Sequence, residues 1–177
     1  PFLQVKKLEP GSWMTYSLDG VVRKGRYWTL PAPAEEPEQG VSEASWKRQL
    51  LEKFDESVRL RMIADVPLGA FLSGGVDSSA VVASMALQSS EPIKTFSVGF
   101  EEAAYNELSY ASLIAKKYKT DHHEILLKPD SISLTQRLVD HFDEPFGDSS
   151  AIPTFLVSEF AARHVKVVLT GDGGDEL

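Results

Sequence analysis

The sequence predicts an α/β fold, a parallel sheet with helices on both faces, preceded by a short β hairpin. Three observations carry this reading. From residue 41 onward, short apolar runs alternate with helix-periodic segments, the pattern of successive βαβ units. Two of those runs end in Gly- and Asp-rich loops, which in such sheets lie at the same carboxyl edge, where ligands bind. The first 30 residues read differently, as strand-like segments around an Asp-Gly turn.

The hairpin comes from Trp13 to Ser17 and Val21 to Trp28, flanking Leu18-Asp19-Gly20. Residues 31–40 are rich in Pro, Ala and Glu, with Pro31, Pro33 and Pro37, and read as a linker. The main domain then runs over 41–177. Trp46, Leu50, Phe54, Val58 and Met62 recur every fourth residue, a helical stripe with Ser42 placed to cap it. Val66 to Leu72 is an apolar run that stops at Ser73-Gly74-Gly75; with Pro67 confined to its start, it reads as a buried strand. A helix follows over Asp77 to Gln88, with Ala80, Val81, Met85 and Ala86 on one side. Ile93 to Phe100 is the next strand, Asn106 to Tyr118 a helix, and His123 to Leu127 a third strand. Asp130 to Phe142 and Ala151 to His164 are helices, and Val165 to Leu169 is the fourth strand.

Composition narrows the function classes. A chain of 177 residues is one domain, or one with an appendage, at roughly 100–200 residues per domain. Its 42% hydrophobic content excludes wholesale disorder. Its longest apolar runs fall far short of the roughly 18 residues of a membrane span, and no secretory signal opens the chain. With no cysteine, the chain holds no disulfide scaffold, zinc-thiolate site or Cys nucleophile, which fits a cytoplasmic protein. The net charge is -8, and all of it falls on residues 41–177. From Asp140 to Leu177 eight acids face two bases, Arg163 and Lys166. Such a surface repels nucleic-acid phosphates, so neither nucleic acid nor membrane is an expected partner. An anionic ligand meeting this acidic stretch requires a divalent cation between them; the alternative is a solvated acidic face.

Four segments have residue types suited to chemistry. Ser73-Gly74-Gly75-Val76-Asp77-Ser78-Ser79 leaves a buried strand and opens a helix. Glycines admit an anion close to the backbone, the helix N-terminus offers N–H groups, and the serines add hydroxyls. It is neither a Walker A loop nor a GxGxxG fingerprint. Asp77 would repel bare phosphate, and Mg²⁺ turns that repulsion into a bridge. The alternative is a plain strand-to-helix turn in which Asp77 and the serines cap the helix. Thr170-Gly171-Asp172-Gly173-Gly174-Asp175-Glu176 makes Asp175 a candidate second metal ligand opposite Asp77; the alternative is a flexible acidic segment. His141 to Ser150 clusters carboxylates and hydroxyls suited to an amine or amino acid, or else forms a capped turn between helices. Thr95 to Phe100 suits either an adenine ring or plain core. His122 and His123 lie side by side on a strand, so their side chains face opposite ways and do not form one ligand set.

The loop Ser73–Ser79 resembles the SGGxDSS pyrophosphate loop of the PP-loop ATP pyrophosphatases, which implies a Rossmann-like parallel sheet of that type. Together with Phe142-Asp143-Glu144-Pro145-Phe146-Gly147-Asp148 and Leu169 to Leu177, the chain from about Trp13 onward resembles the synthetase domain of glutamine-dependent asparagine synthetases. The resemblance implies an AMP-forming carbon–nitrogen ligase using ATP and Mg²⁺. A substrate carboxylate, aspartate in asparagine synthetases, attacks the α-phosphate. Pyrophosphate leaves, and ammonia displaces AMP from the acyl-adenylate. It further implies that Ser73, Gly74, Gly75, Ser78 and Ser79 hold pyrophosphate and that Asp77 and Asp175 hold Mg²⁺. Leu72 and Val98 would contact adenosine, largely through backbone, with Thr170 and Gly171 lining the nucleotide site and Asp172 linked to adenylate formation. Asp143 and Glu144, with Asp148 and Ser149, are the candidates on the substrate side.

In this family the synthetase part follows a glutaminase domain with an N-terminal Cys and extends beyond the segment seen here. The resemblance therefore implies an excised fragment. Residues 1–30 would be the last hairpin of the glutaminase domain, and 41–177 the first part of the synthetase domain. Such a fragment would bind nucleotide better than it catalyses and would not hydrolyse glutamine. An exposed sheet face would favour self-association, most simply as a homodimer. Two alternatives remain open: an amidotransferase acting on another carboxylate, β-lactam-forming or sugar-modifying, and a nucleotide-binding module without turnover.

Overall fold

The computed structural model describes residues 3–32, 40–100, 106–127, 131–142, 147–148 and 150–174. The linker prolines Pro33 and Pro37 lie outside them. The chain divides into two compact units, Pro1–Glu43 and Ala44–Leu177. Among the described residues no helix is long and apolar enough to cross a membrane.

In the first unit, β1 (Ser12–Tyr16) and β2 (Val22–Arg26) pair antiparallel, with Ser12 opposite Arg26 and Tyr16 opposite Val22. The turn closes through Gly20 N–H donating to Ser17 O at 2.9 Å and Ser17 N–H donating to Val21 O at 3.0 Å. Gly20 has φ +85°, a left-handed conformation that glycine adopts without strain, so the Asp-Gly pair does here what its sequence predicts.

The second unit runs α1 (Glu43–Arg61), β3 (Leu68–Phe71), α2 (Val76–Gln88), β4 (Lys94–Phe100), α3 (Leu108–Tyr118), β5 (Asp121–Leu127), α4 (Ser131–Phe142), α5 (Ala151–Ala161) and β6 (Val167–Leu169). The four strands form one parallel sheet in the order β5-β4-β3-β6. The strand expected over Val66 to Leu72 is shorter at both ends. Pro67 has no N–H to give a ladder, and its carbonyl instead accepts from Lys166 N–H at 2.9 Å.

Successive strand residues point to opposite faces, and this divides the core in two. On one face Ala70, Leu72 and Leu169 pack with Val58 of α1, Val81, Val82 and Met85 of α2, and Ala111 and Ala115 of α3. On the other, Phe96 packs with Val157 and Ala161 of α5 and with Val165, and Phe71, Val98 and Val168 join them. Leu72, Val82, Met85 and Phe96 are fully buried, each contributing about 1.5–3 kcal/mol relative to exposure. The α1 stripe is only partly covered. Val58 is buried and Phe54 and Met62 pack beside it, while Trp46 and Leu50 are 47% and 70% exposed.

Polar pairs fix the helices onto this sheet. Thr95, fully buried in β4, shares its hydroxyl with Thr120 Oγ1 and His122 Nδ1, each at 2.8 Å. His122 Nε2 lies 3.0 Å from Glu124 Oε1, which also accepts from Ser112 of α3. His123 sits on the other face, stacked on Phe96 at 5.4 Å and beside His164 at 4.4 Å. The two histidines diverge, as strand geometry requires. On α2, Ser84 donates to Asp55 of α1, and Gln88 donates to Ser84 Oγ at 2.9 Å.

Candidate functional site

The site is built where β3 and β6 end side by side. Ala70 pairs with Leu169, so the segments that follow both strands leave the sheet together. The loop after β3 turns at Gly74, where φ is +94° and a Cβ would come within 2.7 Å of Tyr110 Cβ and 2.8 Å of Ala111 N. The backbone thus rests directly on the first turn of α3, an approach only glycine allows. Ser73 N–H donates to Ser78 Oγ at 3.3 Å, the two hydroxyls lie 3.0 Å apart, and Gly75 N–H donates to Ser73 Oγ at 3.2 Å.

Gly75 is the N-cap of α2, and no side chain caps the helix. This differs from the plain-turn alternative, in which Asp77 or a serine caps it. Asp77 stands inside the first turn, and Ser78 Oγ donates to Gly75 O at 3.3 Å. The N–H groups of that turn therefore keep their partial positive charge for an external acceptor.

The loop after β6 closes against this turn. A Cβ on Gly171 would fall 2.6 Å from Ser78 N, and one on Gly174 would fall 2.6 Å from Asp77 Cγ. Gly174 N–H donates to Gly171 O at 3.3 Å, and Asp172 N–H to Thr170 Oγ1 at 3.4 Å. The two loops enclose a cavity of about 360 Å³, lined by Phe71, Ser73, Gly75, Asp77, Ser78, Thr154 and Thr170 to Gly174. Among the described residues, its lining includes two carboxylates, Asp77 and Asp172, and no lysine or arginine. An anion here meets helix N–H groups on one side and carboxylates on the other, the setting in which a divalent cation binds between them.

A second cavity of about 220 Å³ lies beside the first and is walled by Phe71, Leu72, Phe96, Val98, Phe100, Pro153 and Val157, with Ser73, Ser97, Glu107 and Thr154. Leu72 and Val98, the expected adenosine contacts, both line it. The Leu72 backbone is already engaged: its N–H donates to Phe96 O at 2.9 Å, and its carbonyl accepts from the buried Ser97 hydroxyl.

The remaining expected residues divide three ways. Gly74 shapes the loop from behind. Ser79 Oγ is buried, has no hydrogen-bond partner among the described residues, and belongs to neither cavity's lining. Asp148 is exposed and accepts from Ser150 N–H at 2.8 Å just before α5, outside both cavities. That bond from the Ser150 backbone, and then the Ser150 side chain, hold its carboxyl below the ordinary aspartate value. Asp143, Glu144, Ser149 and Asp175 lie outside the described residues. The structure adds Thr154 and Phe71, which the sequence reading did not single out, and brings Gly173 and Gly174 of the second loop into the lining. For Thr154 the available signal is its place in the first turn of a helix that follows a turn rich in Asp and Ser.

Fold and site together define an α/β domain in which two glycine-rich loops meet at a helix N-terminus on the carboxyl edge of a parallel sheet. The family model described as asparagine synthase matches residues 49–177, and the chain belongs to that family. It is 42% identical over 176 residues to the proposed asparagine synthetase (glutamine-hydrolyzing) 2 of Methanocaldococcus jannaschii, covering 97% of this chain and 33% of that protein. It is 36% identical over 174 residues to asparagine synthetase (glutamine-hydrolyzing) 1 of Bacillus subtilis, covering 98% of this chain and 27% of that protein. The chain thus spans a third or less of the length of these relatives. Among solved structures it is similar to an NH3-dependent NAD synthetase from Campylobacter jejuni, with TM-score 0.47 and 16% identity over 68% of this chain and 54% of that one.

Proposed function

We propose that this chain is the nucleotide-binding part of an ATP-dependent, AMP-forming amide synthetase whose acceptor is aspartate. The reading rests on one observation above others: two glycine-rich loops meet so closely that neither Gly171 nor Gly174 has room for a Cβ beside Asp77 and Ser78. That closeness forms a polar pocket at an uncapped helix N-terminus, and an apolar pocket adjoins it. A nucleoside triphosphate has the same two halves.

Under this reading the α2 N-terminus, Ser73 and Ser78 bind the leaving pyrophosphate. Asp77, with Asp175, would hold Mg²⁺, whose charge would offset that of the phosphates. The fit is supported by a half-buried Asp77 beside the N–H groups of its own helix turn. Leu72 and Val98 flank the adenosine, Thr170 and Gly171 line its phosphate side, and Asp172 serves adenylate formation. Asp143, Glu144, Asp148 and Ser149 belong to the acceptor side. Donors fixed before the reaction stabilise charge as it moves onto the leaving group. Ammonia would come from glutamine through a glutaminase domain, of which residues 1–30 are the final hairpin and 31–40 the link. The whole would work in the cytoplasm, with a homodimer as its expected assembly.

Calorimetric titration with MgATP tests the binding step. The chain should bind MgATP, and Asp77→Ala should lose it. Aspartate-dependent exchange of labelled pyrophosphate into ATP tests the reaction. A folded chain with no affinity for MgATP would sink the nucleotide reading.

A further inference from the structure

We propose that Thr154 contacts the α-phosphate of the bound nucleotide, an inference that rests on the nucleotide reading above. Three residues line both cavities: Phe71, Ser73 and Thr154. They mark the junction between the polar and the apolar pocket. Phe71 offers no hydrogen bond from its side chain. The Ser73 hydroxyl is engaged with the pyrophosphate loop itself, 3.0 Å from Ser78 Oγ and accepting from Gly75 N–H at 3.2 Å. Thr154 is exposed on the first turn of α5, its backbone N–H held by Ser150 O at 2.9 Å. Its hydroxyl has no partner among the described residues, so it is the available side-chain donor at the junction.

A nucleotide with its nucleoside in the apolar cavity and its terminal phosphates in the polar one has only its α-phosphate at the junction. A hydroxyl there donates to a non-bridging oxygen on that phosphorus, a charge-assisted hydrogen bond. The contact would act on the phosphorus that the acceptor carboxylate attacks, while leaving nucleoside and pyrophosphate recognition to other residues.

The test dissects the ligand. The chain is titrated by calorimetry, with Mg²⁺ present, against adenosine, AMP and inorganic pyrophosphate, as wild type, Thr154→Val and Thr154→Ser. Thr154→Val should weaken AMP by about ten-fold, the worth of a hydrogen bond to a charged group. Adenosine and pyrophosphate should stay within about two-fold, as for a surface substitution. Thr154→Ser should restore AMP binding, and unchanged adenosine binding doubles as proof of folding. Equal loss of adenosine and AMP in Thr154→Val would overturn the inference, because the residue would then pack against the nucleoside. So would unchanged AMP binding, which leaves the nucleotide reading standing. A folded wild-type chain that binds none of the three probes would remove the nucleotide reading and this inference together.

Discussion

Gly171 stands so close to Ser78 that a methyl group on its Cα would lie 2.6 Å from the Ser78 backbone nitrogen. A residue just past the end of β6 thus limits the space around the first turn of α2. Gly171→Ala must push the two loops apart, at about 1–3 kcal/mol for an overpacked site. The expected result is a lower melting temperature together with loss of MgATP affinity, read by calorimetry. Unchanged affinity would show that the two loops do not share one ligand.

Gly74 carries a different load. Its φ of +94° and its contact with Tyr110 and Ala111 both exclude a side chain. Gly74→Ala should cost about 1–3 kcal/mol for a residue held in a disfavoured backbone region. Urea denaturation measures this, and loosened α3 amides in hydrogen exchange would locate it.

Asp77 has a sign that can be tested. Its carboxylate opposes the positive end of α2 at short range. Asp77→Asn should abolish the gain in ATP affinity that Mg²⁺ brings, yet strengthen metal-free ATP binding. Titrations in EDTA and in Mg²⁺ separate the two, and weaker binding in EDTA would contradict the metal role.

Thr95 is the polar centre of the β4–β5 interface. Thr95→Val keeps the shape but strips Thr120 and His122 of a shared partner at 2.8 Å. Leaving partly buried polar groups short of a partner costs up to about 1–3 kcal/mol. Chemical denaturation should show that loss.

The Asp148 carboxyl is held low by Ser150. A depressed folded-state pKa adds stability above the unfolded value and loses it as pH falls through the folded one. The stability difference between wild type and Asp148→Ala should therefore be present at neutral pH and disappear in acid. A difference that grows on acidification would reverse the sign of the effect.

Much of this was legible in the residues. The β–α alternation, the Asp-Gly hairpin and the shared edge of the two loops follow from periodicity, turn chemistry and the geometry of parallel sheets. Strand ends were not, because pairing depends on the neighbour: β6 has only three residues, though the apolar run begins at Val165. Helical periodicity in α1 identified a stripe, but could not tell that Val58 is covered while Leu50 is 70% exposed. Thr154 was missed for a related reason. Its first-turn position after Asp148 and Ser150 is a weak signal, and its place at the junction arises from how α5 packs on the sheet.

The pairing of Ala70 with Leu169 joins residues 99 positions apart. Contacts of that span are slow to form, since a long loop must close before they contribute anything. One wall of the pocket is thus made well before the other in chain growth. A ligand that needs both walls recognises only the molecule in which β6 has docked, so mass action would hold that strand in place. Nucleotide affinity would then serve as a clock for maturation, rising only when β6 has docked.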